Sequence, residues 1–453
     1  MMRKKWMKIV GGIAVVMLIL ALTLITTVDR TPYHEMPYYA ETMSSLEPLQ
    51  PIITSGDTLM IGWAKASLVP EKSVPLAGYG KRRGAHYQSI HDSVFVRAFV
   101  FDNGTTKAGY VSADLLIIPP LVYARIFELL DGSAFNPQNT FLTATHSHSS
   151  IGGWQPGLVG SLFSGDFDPD MVEFIAQRIA TAMELAAADT DQARIGYSAV
   201  MAADLVRNRL VGDQEGQIDP WFRLMKIVRD DGQVALLTSF AAHATCAGGS
   251  FMQLSADYPG QLIKLLEADS LIDFASYGAG AVGSMAPLAP PLEDLEEIAY
   301  MANHLAPQIR LIQNATPVDY TTDLGFMRAD VSLRAPHFRI SEDLRLRPWV
   351  FDQVFGEVNA TINGLQIGDQ LLMGTPADFS GELVEPLSDL ARKTDKYLMV
   401  HSFNGSYIGY ITKDEWYDRN KYETRTMNWF GPYNGAYFSE LITTMINKFA
   451  VDE

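Results

Sequence analysis

An uncharged apolar run near the N-terminus constrains this chain more than any other feature of its sequence. Ile9–Val28 contains no charged residue, and a helix needs about 20 such residues to cross the hydrocarbon layer of a membrane. Four basic residues precede the run, which predicts a cytoplasmic N-terminus. The run ends in Thr26-Thr27-Val28 and lacks the small-residue pattern of a cleavage site. We therefore expect an uncleaved signal anchor over residues 1–29, with a cleaved signal peptide as the alternative, and an extracytoplasmic domain.

The remaining chain is predicted to contain a short tether and one large domain. Residues 30–55 are rich in Pro, Tyr, Ser and Glu without periodicity, which is typical of a tether. Short apolar runs and helical periods then alternate through residues 56–453, with turn pairs at Asn103-Gly104 and Asp231-Gly232. Because hairpins and strand–helix units both occur, we predict an α/β (α+β) fold with mixed sheets.

The hydrophobic periodicity places individual strands and helices within this domain. The predicted strands are Val94–Phe101, Gly109–Ser112, Thr140–Thr145, Leu224–Val228, Val234–Phe240 and Leu371–Met373. The predicted helices are Leu121–Leu130, Asp170–Ala188, Gln261–Ala268, Leu292–Asn314 and Phe438–Phe449.

Charge and cysteine content exclude some classes of function. The formal net charge of −17 argues against non-specific binding to nucleic acid, which depends on neutralising phosphates. Cys246 is the single cysteine, so an intramolecular disulfide framework and a multi-cysteine zinc site are both excluded. We therefore expect no nucleic acid partner and no disulfide.

Three histidines follow apolar strands and could form one metal site. Thr140–Thr145 leads into His146-Ser147-His148, and a period of two would place both histidines on the same side. Val234–Phe240 similarly leads to His243. Burying an imidazole is costly unless it is hydrogen-bonded or bound to a metal, and histidine is a common zinc ligand. A shared metal site is the favoured interpretation, with structural histidines as the alternative.

Two other motifs are weaker indications of a functional site. Cys246 lies three residues after His243 and could be a ligand, but a lone buried thiol is more typical of a core residue. Gly278–Gly283 matches G-x-G-x-x-G, the dinucleotide-binding pattern, which requires a helix to begin at its last glycines. Pro287, Pro290 and Pro291 follow at once and oppose such a helix. We expect a glycine-rich loop packed closely against other backbone.

The order of motifs from Ile61 to Tyr433 resembles the neutral (alkaline-type, non-lysosomal) ceramidases. Thr145–Ser149 is similar to the Thr-His-Thr-His-Ser motif of that family. Further segments match in the same order, namely Leu76–Gly80, His91–Ala98, Val111–Leu116, Phe240–Thr245 and Ser255–Gly260. The resemblance covers nearly the whole predicted domain. It implies the catalytic domain alone, because the C-terminal β-domain of longer members is expected to be absent.

This resemblance implies a zinc ion and a set of active-site residues. Asp378 stands where the family has a glutamate ligand, and it could instead cap the next helix, leaving Glu382 as the substitute. Tyr422 follows Tyr410 by the spacing that the family has between its two active-site tyrosines. The implied zinc ligands are His146, His243, Asp378 and Tyr410, and the implied catalytic residues are His148, Tyr422 and Arg209.

The sequence departs from the family at its proposed nucleophile. Where the family has Gly-Asp-x-Ser-Pro, this chain has Gly283-Ser284-Met285-Ala286-Pro287, so an alanine replaces the serine. Three consequences remain open: zinc-activated water is the nucleophile, Ser284 replaces the missing serine, or catalysis is lost.

The resemblance therefore implies a membrane-anchored, zinc-dependent amide hydrolase that cleaves an N-acyl lipid such as ceramide. His148 and Tyr422 would stabilise the developing oxyanion, and Arg209 would orient the substrate. Two alternatives are a lipid-binding or sensing protein without turnover, which Ala286 favours, and a zinc hydrolase of a soluble N-acyl compound.

Overall fold

The computed structural model describes residues 2–356 and 358–450. Its helices are α1 Met2–Leu24, α2 Pro37–Leu46, α3 Pro120–Leu129, α4 Gly157–Ser164, α5 Pro169–Ala188, α6 Asp257–Glu267, α7 Leu295–Ala315, α8 Pro348–Phe355, α9 Val384–Lys393 and α10 Asn434–Phe449. Its strands are β1 Ile25–Thr27, β2 Ile52–Ser55, β3 Met60–Ser67, β4 Ser89–Ile90, β5 Phe95–Asp102, β6 Lys107–Ala113, β7 Thr140–Ala144, β8 Thr190–Met201, β9 Val206–Asn208, β10 Trp221–Arg229, β11 Val234–Phe240, β12 Gln253–Leu254, β13 Phe274–Ala279, β14 Met285–Pro287, β15 Asp323–Val331, β16 Leu344–Leu346, β17 Ala360–Ile367, β18 Gln370–Gly374, β19 Asp378–Phe379, β20 Tyr397–His401 and β21 Tyr410–Ile411.

Two mixed sheets form the framework of the domain. The larger has eight strands in the order β13-β11-β10-β8-β3-β5-β6-β7, and the smaller has five in the order β2-β15-β17-β18-β20. Three pairs at sheet ends, β11–β13, β6–β7 and β18–β20, are parallel. All other neighbouring strands of the two sheets, including the terminal pair β2–β15, are antiparallel. The predicted α/β fold with mixed sheets is therefore confirmed.

Side chains alternate between two apolar environments along the strands. In β5, Phe99 and Phe101 belong to a buried cluster shared by both sheets, while Val96, Ala98 and Val100 pack against helices α3 and α5. This alternation follows the period of two in a strand. Helices α6 and α7 pack on the other end of the larger sheet, and α2, α9 and α10 cover the smaller one. One cluster joins both sheets, so the chain folds as a single domain.

The two ends of the larger sheet approach one another. Ser112 of β6 donates a hydrogen bond from its hydroxyl to the carbonyl oxygen of Tyr277 in β13. The backbone N–H of His148, after β7, points to the carbonyl oxygen of Ala244, after β11, at 3.4 Å. The sheet is therefore curled, and the curl brings together the loops that follow β7 and β11.

The strands and helices predicted from periodicity are confirmed, with boundaries that shift by a few residues. Both predicted hairpins form: Asn103-Gly104 connects β5 to β6, and Asp231-Gly232 connects β10 to β11. Gly278–Gly283 forms the end of β13 and a turn before β14. A Cβ on Gly283 would lie 2.4 Å from the Asp378 carbonyl oxygen, so the expectation of close backbone packing is confirmed.

The tether expected over residues 30–55 is wrong. This segment contains α2, whose Tyr38, Thr42 and Leu46 are buried, and β2, which pairs with β15. The buried side chains of α2 lie three to four residues apart, so the helix has one apolar face that packs on the smaller sheet. The segment belongs to the folded domain because it supplies an edge strand and part of a core.

Helix α1 is long and apolar enough to cross a membrane over Lys5–Leu24, with no buried residue there. The apolar run predicted as the anchor continues to Val28, and here the structure differs. Ile25–Thr27 forms β1, which pairs with β16. The N–H of Val28 then donates to the Asp343 carbonyl oxygen. The last four residues of the run therefore belong to the domain, because unpaired backbone groups of β16 bind them.

Candidate metal centre and cavity

His146 lies in the turn after β7 and is fixed by its neighbours. Its backbone φ of 62° is in the left-handed region, which residues other than glycine seldom adopt. The two histidines of this turn therefore do not follow the strand period that the sequence predicted. The ring of His146 stacks on Phe403, and its Nδ1 donates to the Leu116 carbonyl oxygen at 2.6 Å. The imidazole is buried and its Nε2 faces away from the carbonyl.

His243 lies in the loop after β11 and is fully buried. Its Nδ1 donates to the Val282 carbonyl oxygen at 3.1 Å. A carbonyl oxygen can only accept, so this contact places the proton of the neutral ring on Nδ1. The same argument applies to His146. In both rings Nε2 is therefore the atom with a free lone pair.

These two free lone pairs face each other. The Nε2 atoms of His146 and His243 are 2.9 Å apart. Burial lowers the pKa of His146 to about 3 and that of His243 well below its ordinary value, so neither Nε2 is protonated at neutral pH. Two acceptors at this distance repel unless a cation lies between them. The arrangement is that of a metal site in which each Nδ1 is held by a backbone carbonyl.

Asp378 completes this arrangement from the opposite side. Its Oδ1 lies 3.5 Å from His146 Nε2 and 3.7 Å from His243 Nε2, and it has no hydrogen-bond partner among the described residues. Its Oδ2 accepts a hydrogen bond from the Tyr407 hydroxyl at 2.7 Å. Ligands at 2.0–2.1 Å around a tetrahedral zinc are about 3.3 Å apart. The two distances from the carboxylate oxygen are close to this spacing, whereas the 2.9 Å between the two Nε2 atoms is shorter. Imidazole nitrogen and carboxylate oxygen are both donors that zinc accepts, so these residues could hold a zinc ion.

Tyr410 lies beside Asp378 through the parallel pairing of β19 and β21. Its hydroxyl accepts from Arg209 Nη2 at 2.9 Å, and Arg209 Nε lies 2.9 Å from Glu423 Oε1. The pairing of β9 with β14 carries Arg209 into the site, where its N–H donates to the Ser284 carbonyl oxygen. The structure therefore brings Arg209 to the cluster.

His148 is the one member of the histidine group that is partly exposed. Its Nε2 lies 3.0 Å from His146 Nε2, and the three histidines could together hold a metal ion. Its Nδ1 is buried without a partner among the described residues. Tyr422 lies near Tyr410, with 5.8 Å between ring centroids. Burial raises the pKa of Tyr422 to about 12, so its hydroxyl keeps its proton at neutral pH.

The cluster forms one wall of a cavity of about 460 Å³. The polar groups at this wall belong to His146, His148, Asp378, Tyr410 and Tyr422. The rest of the lining is mainly apolar and includes Leu116, Ile117, Trp154, Phe163, Phe355 and Trp429. A cavity with apolar walls and a few convergent polar groups is typical of a binding site for a largely hydrophobic molecule.

The residues that the sequence offered as alternative nucleophile or ligands do not join the cluster of His146, His243 and Asp378. Ser284 is fully buried, and its hydroxyl is 2.6 Å from that of Ser380. Glu382 accepts from Trp416 Nε1 at 3.0 Å. Cys246 lies in the apolar core around α6 and α7, as expected for a structural thiol. Ala286 pairs with Arg207 in the short ladder of β9 and β14.

Tyr407 is the residue beside this cluster that the sequence did not assign. It holds Asp378 and lines the cavity. The segment Tyr407-Ile408-Gly409-Tyr410 places two tyrosines three residues apart, and only Tyr410 matches the pattern of the family. The only available signal for Tyr407 was its closeness to Tyr410.

Sequence comparison finds similarity to neutral ceramidases. Residues 60–284 match the sequence model described as "Neutral/alkaline non-lysosomal ceramidase, N-terminal". The neutral ceramidase of Mycobacterium tuberculosis is 28% identical over 204 residues, which cover 41% of this chain. That of Pseudomonas aeruginosa is 26% identical over 216 residues, covering 44%. The matched segment spans 32% of the length of each relative, or about a third.

Solved structures share the fold over most of the chain. A structure titled "Ceramidase complexed with C2" has a TM-score of 0.75 at 18% identity and covers 86% of this chain and 75% of that one. The crystal structure of neutral ceramidase from Pseudomonas aeruginosa has a TM-score of 0.72 at 19% identity, covering 87% and 74%. The chain is therefore similar in fold to neutral ceramidases, and its residues 60–284 match the N-terminal region of the neutral/alkaline non-lysosomal ceramidases.

Proposed function

We propose that this protein is a zinc-dependent amide hydrolase that cleaves an N-acyl lipid of the ceramide type. The observation that carries the proposal is the pair of opposed Nε2 atoms of His146 and His243, with Asp378 Oδ1 facing both, at the wall of an apolar cavity. A purely structural group of histidines gains nothing from two facing lone pairs.

The zinc ligands in this proposal are His146, His243, Asp378 and Tyr410. A zinc ion bound there supplies a Lewis acid that polarises an amide carbonyl and lowers the pKa of water. Tyr407 fixes the orientation of the Asp378 carboxylate, and Arg209 fixes that of the Tyr410 hydroxyl. Such contacts to ligands hold a site in the geometry that its metal requires.

His148 and Tyr422 act on the substrate rather than on the metal. Both line the cavity, and His148 is more exposed to it than the two buried histidines. A neutral imidazole and a protonated phenol can each donate a hydrogen bond where negative charge develops on the carbonyl oxygen. The apolar walls receive the acyl chain, and burial of that chain favours binding.

The proposal places the domain outside the cytoplasm, anchored by α1. The apolar length of α1 over Lys5–Leu24 and the basic residues that precede the run support this orientation. A lipid substrate is compatible with an enzyme held at the membrane surface.

Three variants separate the ligand role from the substrate role. The full-length protein is purified in detergent, and zinc content and hydrolysis of an N-acyl lipid are measured together. We expect His243→Ala to lose both zinc and turnover, and His148→Ala to keep zinc while turnover falls. The control His304→Ala, on the exposed side of α7, is expected to keep both. Loss of zinc in His148→Ala would show a ligand instead.

A second candidate function is lipid binding without turnover. The specific observation in its favour is Ala286, which stands where the family has a serine. The cluster of His146, His243 and Asp378 argues against this candidate, because a protein that only binds lipid does not need metal ligands. Failure of the zinc-loaded protein to cleave any N-acyl lipid or N-acyl amine in a broad panel would support this candidate over the hydrolase.

A further inference from the structure

Four exposed apolar side chains lie on two adjoining short helices, and we call this set the rim patch. It consists of Leu158 and Leu162 on α4 and Trp349 and Val354 on α8, with exposed fractions of 90%, 47%, 49% and 37%. Helix α4, Gly157–Ser164, carries no charged side chain. Apolar side chains clustered at the surface are typical of a site that contacts another apolar phase.

The rim patch lies directly outside the cavity. Val159 and Phe163, on α4, line the cavity, and so does Phe355, on α8. The two helices adjoin each other, since a Cβ on Gly157 would lie 3.9 Å from the Val354 carbonyl oxygen. Each helix therefore presents one set of apolar side chains to the cavity and another set to the outside.

The rim patch also lies close to the end of the candidate membrane helix. The Leu24 carbonyl oxygen, at the end of α1, accepts from the Arg347 N–H at 2.8 Å. Arg347 Nη2 also reaches the Leu22 carbonyl oxygen at 3.1 Å. Helix α8 begins at the next residue, Pro348, so Trp349 lies in the turn that adjoins α1. Strand β1 follows α1 directly and pairs with β16, so the end of α1 is held against this part of the domain.

We propose that the rim patch inserts into the outer leaflet of the membrane that α1 crosses, so that the cavity opens onto lipid. This inference rests on the membrane topology of the proposed function. Tryptophan is enriched at membrane–water interfaces, where Trp349 would lie. A substrate embedded in the bilayer would then reach the cavity at the edge formed by α4 and α8 without crossing water. The apolar side chains of the patch would exchange water for acyl chains, which favours the contact.

Environment-sensitive labelling tests this contact without using activity. The only native thiol, Cys246, is buried, so Leu158→Cys in the full-length chain can carry a single fluorophore. The matched control is Leu311→Cys on α7, where the leucine is 73% exposed. Both labelled proteins are reconstituted in phosphatidylcholine vesicles that contain nitroxide-labelled lipid.

We expect the fluorophore at position 158 to shift its emission to the blue and to be quenched severalfold more than the one at 311. Equal, water-like emission at both positions would overturn the proposal. A second result would also overturn the proposal. If the detergent micelles contain two chains and the label at position 158 is already shielded from water there, a second copy of the chain covers the rim patch. If the rim patch inserts into the membrane but the protein does not hydrolyse N-acyl lipids, this inference stands and the proposed activity is rejected.

A turnover measurement gives the complementary test. The double variant Leu158→Asp/Leu162→Asp is compared with Leu311→Asp on two substrates. For an N-acyl lipid embedded in vesicles, we expect the double variant to lose about tenfold in rate, while a short-chain N-acyl substrate in water is cleaved as before. Equal losses on both substrates would indicate damage to the cavity and would overturn the proposal.

Discussion

Two backbone carbonyls determine what the buried histidines can do. By accepting from Nδ1, the carbonyl oxygens of Leu116 and Val282 turn the Nε2 lone pairs of His146 and His243 towards the same point. Asp378 is turned towards that point by Tyr407. In the proposed zinc site, the contacts behind these three side chains therefore matter as much as the side chains themselves.

Removing the Tyr407 hydroxyl tests this dependence. Tyr407→Phe leaves Asp378 Oδ2 without its partner, so the carboxylate can rotate away from the histidines. We expect zinc affinity to fall by about 10–100-fold, as is typical for loss of a contact to a ligand. Competition with a chelator measures this affinity, with Tyr300→Phe on α7 as the control. Unchanged affinity in Tyr407→Phe would show that the hydroxyl does not orient Asp378.

Ser284→Ala tests whether a second serine has replaced the missing one. The Ser284 hydroxyl is fully buried against Ser380, so we expect turnover to remain largely intact and no acyl-enzyme to accumulate. Tyr422→Phe, measured in parallel, should lose about 10²–10³-fold, the usual effect of removing one oxyanion donor. A loss of several orders of magnitude in Ser284→Ala, as for a nucleophile, would contradict the water-based mechanism.

At the residue scale, the sequence predicted which residues form the candidate site better than it predicted how they are oriented. It indicated His146, His243 and Asp378 because apolar strands and family motifs led to them. It could not predict that His146 adopts a left-handed backbone conformation, since that depends on the turn after β7. Nor could it identify Tyr407, whose role comes from a partner 29 residues away.

Among the elements, the junction between α1 and the domain was the least expected. Strand β1 continues directly from α1 and pairs with β16 from Leu344 to Leu346. The ion pair of Asp29 with Arg334 and that of Arg30 with Asp418 extend this contact. The periodicity of residues 30–55 did not predict α2 or β2, because their burial depends on distant partners such as β15.

This junction predicts that the N-terminal helix remains in the mature protein. Cleavage after the apolar run would remove β1 and leave the backbone of β16 without its partner. Mass spectrometry of protein extracted from membranes should therefore find an N-terminus before residue 5. A mature chain that begins at residue 28 or later would show a cleaved signal peptide.

A buried carboxylate directly after β6, hydrogen-bonded to the start of β5, makes the stability of the domain depend on pH. Asp114 accepts from the Phe95 N–H at 2.8 Å and lies 3.4 Å from Arg97 Nη1. Burial raises its pKa to about 6 from the ordinary 3.8, although Arg97 opposes the shift. Between about pH 4 and 6 the folded state holds a proton that the unfolded chain has released, so stability falls as pH rises.

The comparison of wild type with Asp114→Asn isolates this effect. The variant has no titrating group at this position. The stability of the wild type relative to the variant should therefore fall by about 2 kcal/mol from pH 4 to pH 7. Denaturant unfolding of the detergent-solubilised protein measures the difference at each pH. A difference that stays constant across this range would show that Asp114 is ionised throughout.

At the scale of the whole molecule, function depends on how the sheets and helices enclose space. The curled sheet joins the loops after β7 and β11, and the short pair β19–β21 brings Asp378 and Tyr410 to the same place. The cavity also needs α4 and α8, two short helices that the sequence did not predict. Periodicity identifies long elements, whereas a cavity wall built from eight-residue helices depends on tertiary packing.

The most direct test of the account is the location of zinc in a crystal of the full-length protein. Diffraction data collected on both sides of the zinc absorption edge would locate the metal and identify it. We predict one anomalous peak between His146 Nε2, His243 Nε2 and Asp378 Oδ1, absent from the data below the edge. A zinc-supplemented crystal in which these three side chains keep their positions and no peak lies between them would contradict the account.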